Sequence, residues 1–336
     1  MSKQTFRVCV VGAGDLGTQH AGGWQKCGAA ELVAVADVDK TRAENYAKKF
    51  NLSQCFTDYR EAIDKSKPDI VSVCTPAYFH PEVTIFAAEH GAHVISEKPI
   101  ALTLEAASRM IETTRRCKVK FSLGFQTRFW SGTEKLKELL SGGELGRPVM
   151  YRQSGAAEIR PKRAMHDALR GNGGAVIDFC CHTFDHWRYV FGSEPVRVTA
   201  RGLTLAKDRP ELAHLPQIAV DTAAILVDFA SGDIGLISIS WGLPPGTPWV
   251  SGDNDILGPK GRIIRGGDNL QILREGGKVE KVEGLKTDMH KELMSDFVDA
   301  IRRDRSPRVI GEDGRIGLKM SLAALESIQT KQPVAL

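Results

Sequence analysis

The chain has 336 residues, enough for two domains with full cores, and its 42% hydrophobic and 26% charged content is ordinary for a globular protein. A formal charge of +4 without a basic block argues against nucleic acid, and the apolar runs are too short for a membrane span. Seven scattered cysteines with no CxxC read as free thiols in a reducing compartment; residues 1–4 lead straight into a strand without a signal-peptide pattern, so a cytoplasmic location is expected.

Residues 6–11 are apolar and β-branched and end at Gly12, the profile of a buried parallel strand. Gly12-Ala13-Gly14-Asp15-Leu16-Gly17 then opens a helix running to about residue 26. The first glycine suits a tight turn, the second a close approach of backbone to a pyrophosphate, and the third close packing of helix on strand. The helix N-terminus adds N–H groups and a positive dipole end. A second buried strand, 32–36, ends at Asp37, twenty residues past Gly17, where a carboxylate can accept both ribose hydroxyls of an adenosine. A carboxylate there repels a 2′-phosphate, which favours NAD over NADP. Arg42 follows closely, either turned in toward a phosphate or, more in keeping with a helix-surface charge, solvated on the next helix.

The alternation continues with a helix at 40–50, a strand at 54–57, a helix at 59–64 and a strand at 70–74 ending in Thr75-Pro76. Next come a helix at 81–90 stopped by Gly91, a strand at 94–96 that delivers Glu97-Lys98-Pro99, a helix at 103–117 and a sixth strand at 120–124. Six strands joined by helices predict an α/β fold, a doubly wound parallel sheet over residues 1–125 with its site outside the strands' carboxyl ends. Thr75, Pro76, His80, Glu97 and Lys98 fall at or just beyond that edge.

From residue 126 the pattern changes. A helix at 133–141 precedes a strand at 148–154, and alternating strands follow at 196–205, 222–229 and 234–241, then shorter ones at 261–265, 270–274 and 278–282. Close succession and turns such as Ser231-Gly232-Asp233 predict a largely antiparallel sheet over 126–336, with helices at 288–303 and 313–328. One helix stands apart. After Gly173-Gly174, the residues Asp178, His182 and Asp185 fall at i, i+4 and i+7, on one face. Polar groups lined up on a partly buried helix need partners or a task, and beside Lys98 the pair Asp178 and His182 reads as an acid–base dyad. His182 and His186 also have metal-ligand spacing, but no distal cluster completes a set, and no metal is expected. Gln126, Arg128 and Trp130 are candidates to reach substrate, as are Arg160, Lys162, Arg163 and His166.

These motifs in order, with Cys74-Thr75-Pro76 and Gly311-Glu312-Asp313-Gly314-Arg315 near the end, resemble those of the Gfo/Idh/MocA oxidoreductases. The resemblance implies an N-terminal Rossmann domain and a C-terminal α/β domain whose open, mostly antiparallel sheet forms a homodimer or homotetramer surface. It also implies an NAD(P)-dependent dehydrogenase acting on a cyclic polyol, sugar or sugar derivative. By motif match, Lys98 and His182 handle the proton beside Asp178, whereas Gln126, Arg128 and Arg163 are placed toward the substrate only by their position in the chain. The chain departs from the family pattern at Asn172, where a third glycine is usual, and at Cys180 and Cys181, where small residues are usual. Two other classes remain open: a glycoside-cleaving enzyme with a closed NAD redox cycle, and a dinucleotide sensor without catalysis.

Overall fold

The computed structural model describes residues 5–161 and 164–336. They divide into two compact units: 1–126 with 288–315, and 127–287 with 316–336. The segment 288–315 thus packs with the first unit.

The first unit alternates β1 (Phe6–Val11), α1 (Asp15–Cys27), β2 (Ala30–Ala36), α2 (Lys40–Phe50), β3 (Gln54–Phe56), α3 (Tyr59–Ser66), β4 (Ile70–Val73), α4 (His80–Glu89), β5 (His93–Ser96), α5 (Leu104–Arg116) and β6 (Phe121–Leu123). The strands are parallel in the order β3-β2-β1-β4-β5-β6, the doubly wound arrangement the sequence predicts. Helix starts follow local chemistry: the side chains of Asp39, Asp58 and Thr103 accept from backbone N–H groups in the first turns of α2, α3 and α5. Register matters most for function. Ala36 pairs with Phe56 and Val11, Val11 with Val73, Val73 with Ser96, and Ser96 with Leu123. Every strand therefore ends at one level, and Gly12, Asp37, Cys74, Glu97 and Gly124 each continue the ladder by one backbone bond.

In the second unit come α6 (Ser131–Ser141), β7 (Met150–Glu158), α7 (Gly174–Asp178), α8 (Cys180–Phe191), β8 (Pro195–Leu203), β9 (Thr222–Phe229), β10 (Ile234–Leu243), β11 (Val250–Gly258), β12 (Gly261–Gly266), β13 (Asn269–Arg274) and β14 (Val279–Val282). Then α9 (Met289–Arg302) joins the first unit, packing on α1, and α10 (Gly311–Thr330) starts in the first unit and ends in the second, before β15 (Val334–Ala335). The sheet order is β14-β13-β12-β11-β7-β10-β9-β8-β15, antiparallel except for the β7–β10 pair. Along β9 buried and accessible residues alternate, so one face is packed and the other open. The packed face receives the Trp187 ring of α8 against Gly235 and Ile328 of α10 against Gly202.

Three elements differ from the sequence reading. The expected single helix through Asp178 and His182 is two, α7 and α8, broken at Phe179. β11 and β15 are not anticipated: the polar stretch 250–255 pairs with β7 across a bulge, and the two residues of β15 pair with β8.

Candidate active site

The glycine loop fits a dinucleotide in its detail. Gly12 has φ +104°, and a Cβ there would lie 2.5 Å from the Cys74 carbonyl oxygen, so no larger residue fits. A Cβ on Gly17 would lie 2.0 Å from the Gly12 oxygen, which is the close contact of helix on turn. Gly14 is different: its Cβ would meet nothing within 4 Å, leaving the open space a pyrophosphate requires. Ala13 donates its N–H to Asp37 Oδ2 at 2.9 Å, and the Tyr46 hydroxyl donates to the Gly17 carbonyl at 2.7 Å. Asp15 and Leu16 form the first turn of α1 beside this loop.

Asp37 holds the next position on the edge. Its Oδ1 accepts from the Asp39 N–H at 2.9 Å and faces the Arg42 guanidinium at 3.1 Å. Arg42 is itself exposed, and its guanidinium reaches back to the carboxylate. A cavity of 510 Å³ opens here, lined by Gly12, Gly14, Asp37, Arg42, Tyr59, Thr75, Pro76 and Phe79. Val38, 87% exposed, lies on its rim. Thr75 Oγ1 is buried in this lining without a hydrogen-bond partner, so a polar ligand group in the cavity would satisfy it. These residues suit the adenosine half of the cofactor: a carboxylate for the ribose, apolar walls for the base, and a glycine loop for the phosphates.

Farther along the same edge, Glu97 is 1% exposed. Its Oε2 accepts from the Lys98 backbone N–H at 3.1 Å, and its Oε1 lies 2.9 Å from His20 Nε2. His20 Nδ1 lies 2.9 Å from Ser72 Oγ, which also accepts from Trp24 Nε1 at 2.9 Å. Burial opposes a charged His20, but the Cys74 sulfur and the Glu97 carboxylate more than offset it, raising the imidazole to about 10. A side chain at position 124 would collide with Glu97, so glycine there makes room for the carboxylate. His80 is likewise buried, its ring between the carbonyl oxygens of Thr75 and Pro99, each at 2.8 Å. The first unit therefore brings together Gly12 to Gly17, Asp37, Arg42, Thr75, Pro76, His80, Glu97 and Lys98 along one strand-end edge.

In the second unit Asp178 closes α7 and is 2% exposed, and its Oδ2 accepts from Asn172 Nδ2 at 3.1 Å. The backbone tightens at the break, with the His182 N–H reaching the Phe179 carbonyl at 3.1 Å, so His182 follows one turn after Asp178. Asp185 is engaged elsewhere: Arg128 donates to it through both Nε and Nη2 in a buried ion pair. His186 sits in the core near Thr133 Oγ1 and the Tyr151 hydroxyl, and burial with the Arg265 and Arg128 charges lowers it to about 3. Trp130 is buried under the Arg265 guanidinium, and Trp241 stacks with Arg160. Gln126, at the end of the first unit, keeps its Oε1 buried without a partner. Lys162 and Arg163 lie outside the described residues.

Sequence reasoning missed His20, Ser72 and Trp24 behind Glu97, and assigned no task to Asn172. The spacing of His20 and Trp24 on one face of α1 was the available signal: a polar ring aligned with a buried aromatic one.

The description "Oxidoreductase family, NAD-binding Rossmann fold" matches residues 6–125, and "Oxidoreductase family, C-terminal alpha/beta domain" matches residues 137–336. A myo-inositol 2-dehydrogenase of Thermotoga maritima is 31% identical, covering 98% of both chains. A scyllo-inositol 2-dehydrogenase (NAD(+)) of Bacillus subtilis is 28% identical over 98% of this chain and 96% of its own. A levoglucosan dehydrogenase solved with NADH shares the fold at a TM-score of 0.88, with 22% identity and 99% of each chain covered. No helix among the described residues is long and apolar enough to cross a membrane. With its glycine loop, its strand-end lysine and both halves matched, the chain belongs to the Gfo/Idh/MocA oxidoreductase family, and its first unit is an NAD-binding domain.

Proposed function

We propose that this enzyme interconverts a secondary alcohol and its ketone on a cyclic polyol or sugar, with NAD as hydride carrier. The observation that carries the reading is the shared edge of the first unit, where Lys98 follows the glycine loop, Asp37 and Thr75 along aligned strand ends. The full-length relatives named as inositol dehydrogenases support a ring polyol as the substrate class.

Gly12 to Gly17 would hold the pyrophosphate, Asp37 the adenosine ribose, and Thr75 and Pro76 the cavity wall. When bound, the nicotinamide supplies a two-electron acceptor or donor at carbon. Lys98 then hydrogen-bonds the carbinol oxygen and stabilises negative charge developing on it. His182 accepts the hydroxyl proton as a general base, and Asp178 orients the imidazole. Asp178 arrives already held by Asn172, so the carboxylate is fixed before substrate binds. Seven free cysteines support a reducing cytoplasmic setting. The open face of the nine-stranded sheet, with Leu226 opposite Leu236, supports a homodimer or homotetramer.

The test is NAD reduction by the purified enzyme against cyclic polyols, aldoses, uronates and sugar nucleotides. Lys98→Ala and His182→Ala should each lower kcat by roughly 10²–10⁴ while NAD still binds. Oxidation that survives in His182→Ala would remove the histidine from the reaction. Loss of NAD binding alone in Lys98→Ala would make that lysine a cofactor clamp.

A further inference from the structure

His80 is the first residue of α4 and is 1% exposed. Its Nδ1 lies 2.8 Å from the Pro99 carbonyl oxygen and its Nε2 lies 2.8 Å from the Thr75 carbonyl oxygen. A carbonyl oxygen can only accept, and a neutral imidazole carries a single N–H. With a neutral ring, one of the two contacts would set lone pair against lone pair at hydrogen-bond distance in a buried place. Both contacts are bonds only when both ring nitrogens carry hydrogen.

The two carbonyls belong to different loops of one sheet edge. Thr75 follows β4 and lines the cofactor cavity, whereas Pro99 directly follows Lys98. We infer that His80 is a buried imidazolium that ties these two loops together and thereby positions Lys98. Such charge-assisted bonds are shorter and stronger than neutral ones, as a brace requires. The lysine's other neighbour is gripped as well, since His20 of α1 meets the Glu97 carboxylate and Glu97 accepts from the Lys98 N–H. Lys98 thus stands between two residues fixed by buried histidines, one from the helix after the glycine loop and one from the helix after Thr75. His80 acts through the backbone beside the lysine, so it is a positioning residue. Its effect on turnover rests on the proposed role of Lys98.

The full-length protein with ¹⁵N-labelled histidine gives the direct test. The His80 signals are assigned by their loss in His80→Gln, and at pH 7 both ring nitrogens should appear protonated. A neutral tautomer, with one unprotonated nitrogen, would overturn the inference. In kinetics, His80→Leu should lower kcat about 10–100-fold, as expected for a displaced catalytic group, while KM for NAD changes less than about threefold. His80→Gln retains an N–H able to reach one carbonyl and should recover part of that loss. Wild-type kcat in folded His80→Leu would overturn the positioning role. Unchanged turnover in Lys98→Ala would remove the lysine's role and the positioning claim with it, and the ring-nitrogen signals would still decide whether His80 is charged.

Discussion

Asn172 is the residue at which this chain departs most usefully from its family's glycine run, because its amide donates to the Asp178 carboxylate. A hydrogen bond to a charged group contributes about 1.5–3 kcal/mol, and this one restrains the carboxylate proposed to orient His182. Asn172→Gly, which restores the common pattern, should therefore lower kcat about 5–50-fold with little change in NAD affinity; a kinetically silent variant would assign Asn172 to pocket shape instead. His20 carries a prediction in pH. Its folded-state value is raised from 6.5 to about 10. The stabilisation is then complete below about 6.5, declines as pH rises, and is gone once His20 deprotonates near 10. Urea midpoints should fall across that window in the wild type and fall less in His20→Gln, while parallel curves would show that the His20–Glu97 pair gives no pH-dependent stability. The glycine loop, Asp37 and Lys98 were legible in the sequence because their chemistry is local and tied to strand ends. His20 was not, because its partner Glu97 lies 77 residues away and only the fold joins them. Arg128 reads as a cation free to meet substrate for the same reason, since Asp185, which holds it, is 57 residues on.

Among elements, α8 is fixed by that pair as much as by its apolar face. The side chains of Arg128 and Asp185 are 5% and 1% exposed, so neither charge has water to fall back on. Removing one partner of such a buried pair costs about 3–5 kcal/mol, whereas replacing both with apolar groups of similar volume is often neutral or stabilising. Arg128→Ala should accordingly lower unfolding free energy by about that amount, and Arg128→Met with Asp185→Leu should restore most of it, as urea titration would show. If Arg128 instead serves the substrate, Arg128→Lys would raise KM for the alcohol and leave stability nearly untouched. The elements of the first unit were legible because each strand is a short apolar run and each helix has a stop or a cap. The break at Phe179 was not, because i, i+4 periodicity passes through a local tightening of the backbone unchanged. Nor was β11: Ser251, Gly252, Asp253 and Asn254 have poor strand propensity. Pairing with β7 overrides it, and Asp255 is held there by Arg152 and Arg262.

For the whole molecule, the chain's path sets which pieces can stand alone. The NAD-binding unit is not contiguous, since α9 returns after some 160 residues to pack on α1. The fit is close: a Cβ on Gly23 would lie 3.1 Å from the His290 carbonyl oxygen, and Lys26 Nζ meets Asp288 at 2.7 Å. The helix buries Leu293, Met294, Phe297 and Val298. At about 1.5–3 kcal/mol for each such side chain, their burial is worth roughly 6–12 kcal/mol as an upper bound. A whole domain has a net stability of only about 5–15 kcal/mol, so the loss of this helix is enough to unfold the unit. A fragment of residues 1–126 should therefore show no cooperative thermal transition and bind NAD far more weakly than the full chain. The same fragment joined through a glycine–serine linker to residues 288–315 should regain both properties, as circular dichroism melts and calorimetric NAD titration would report. Cooperative unfolding and full NAD affinity in the bare fragment would mean that α1 tolerates exposure of its α9 face, and that the return of the chain serves the second unit instead.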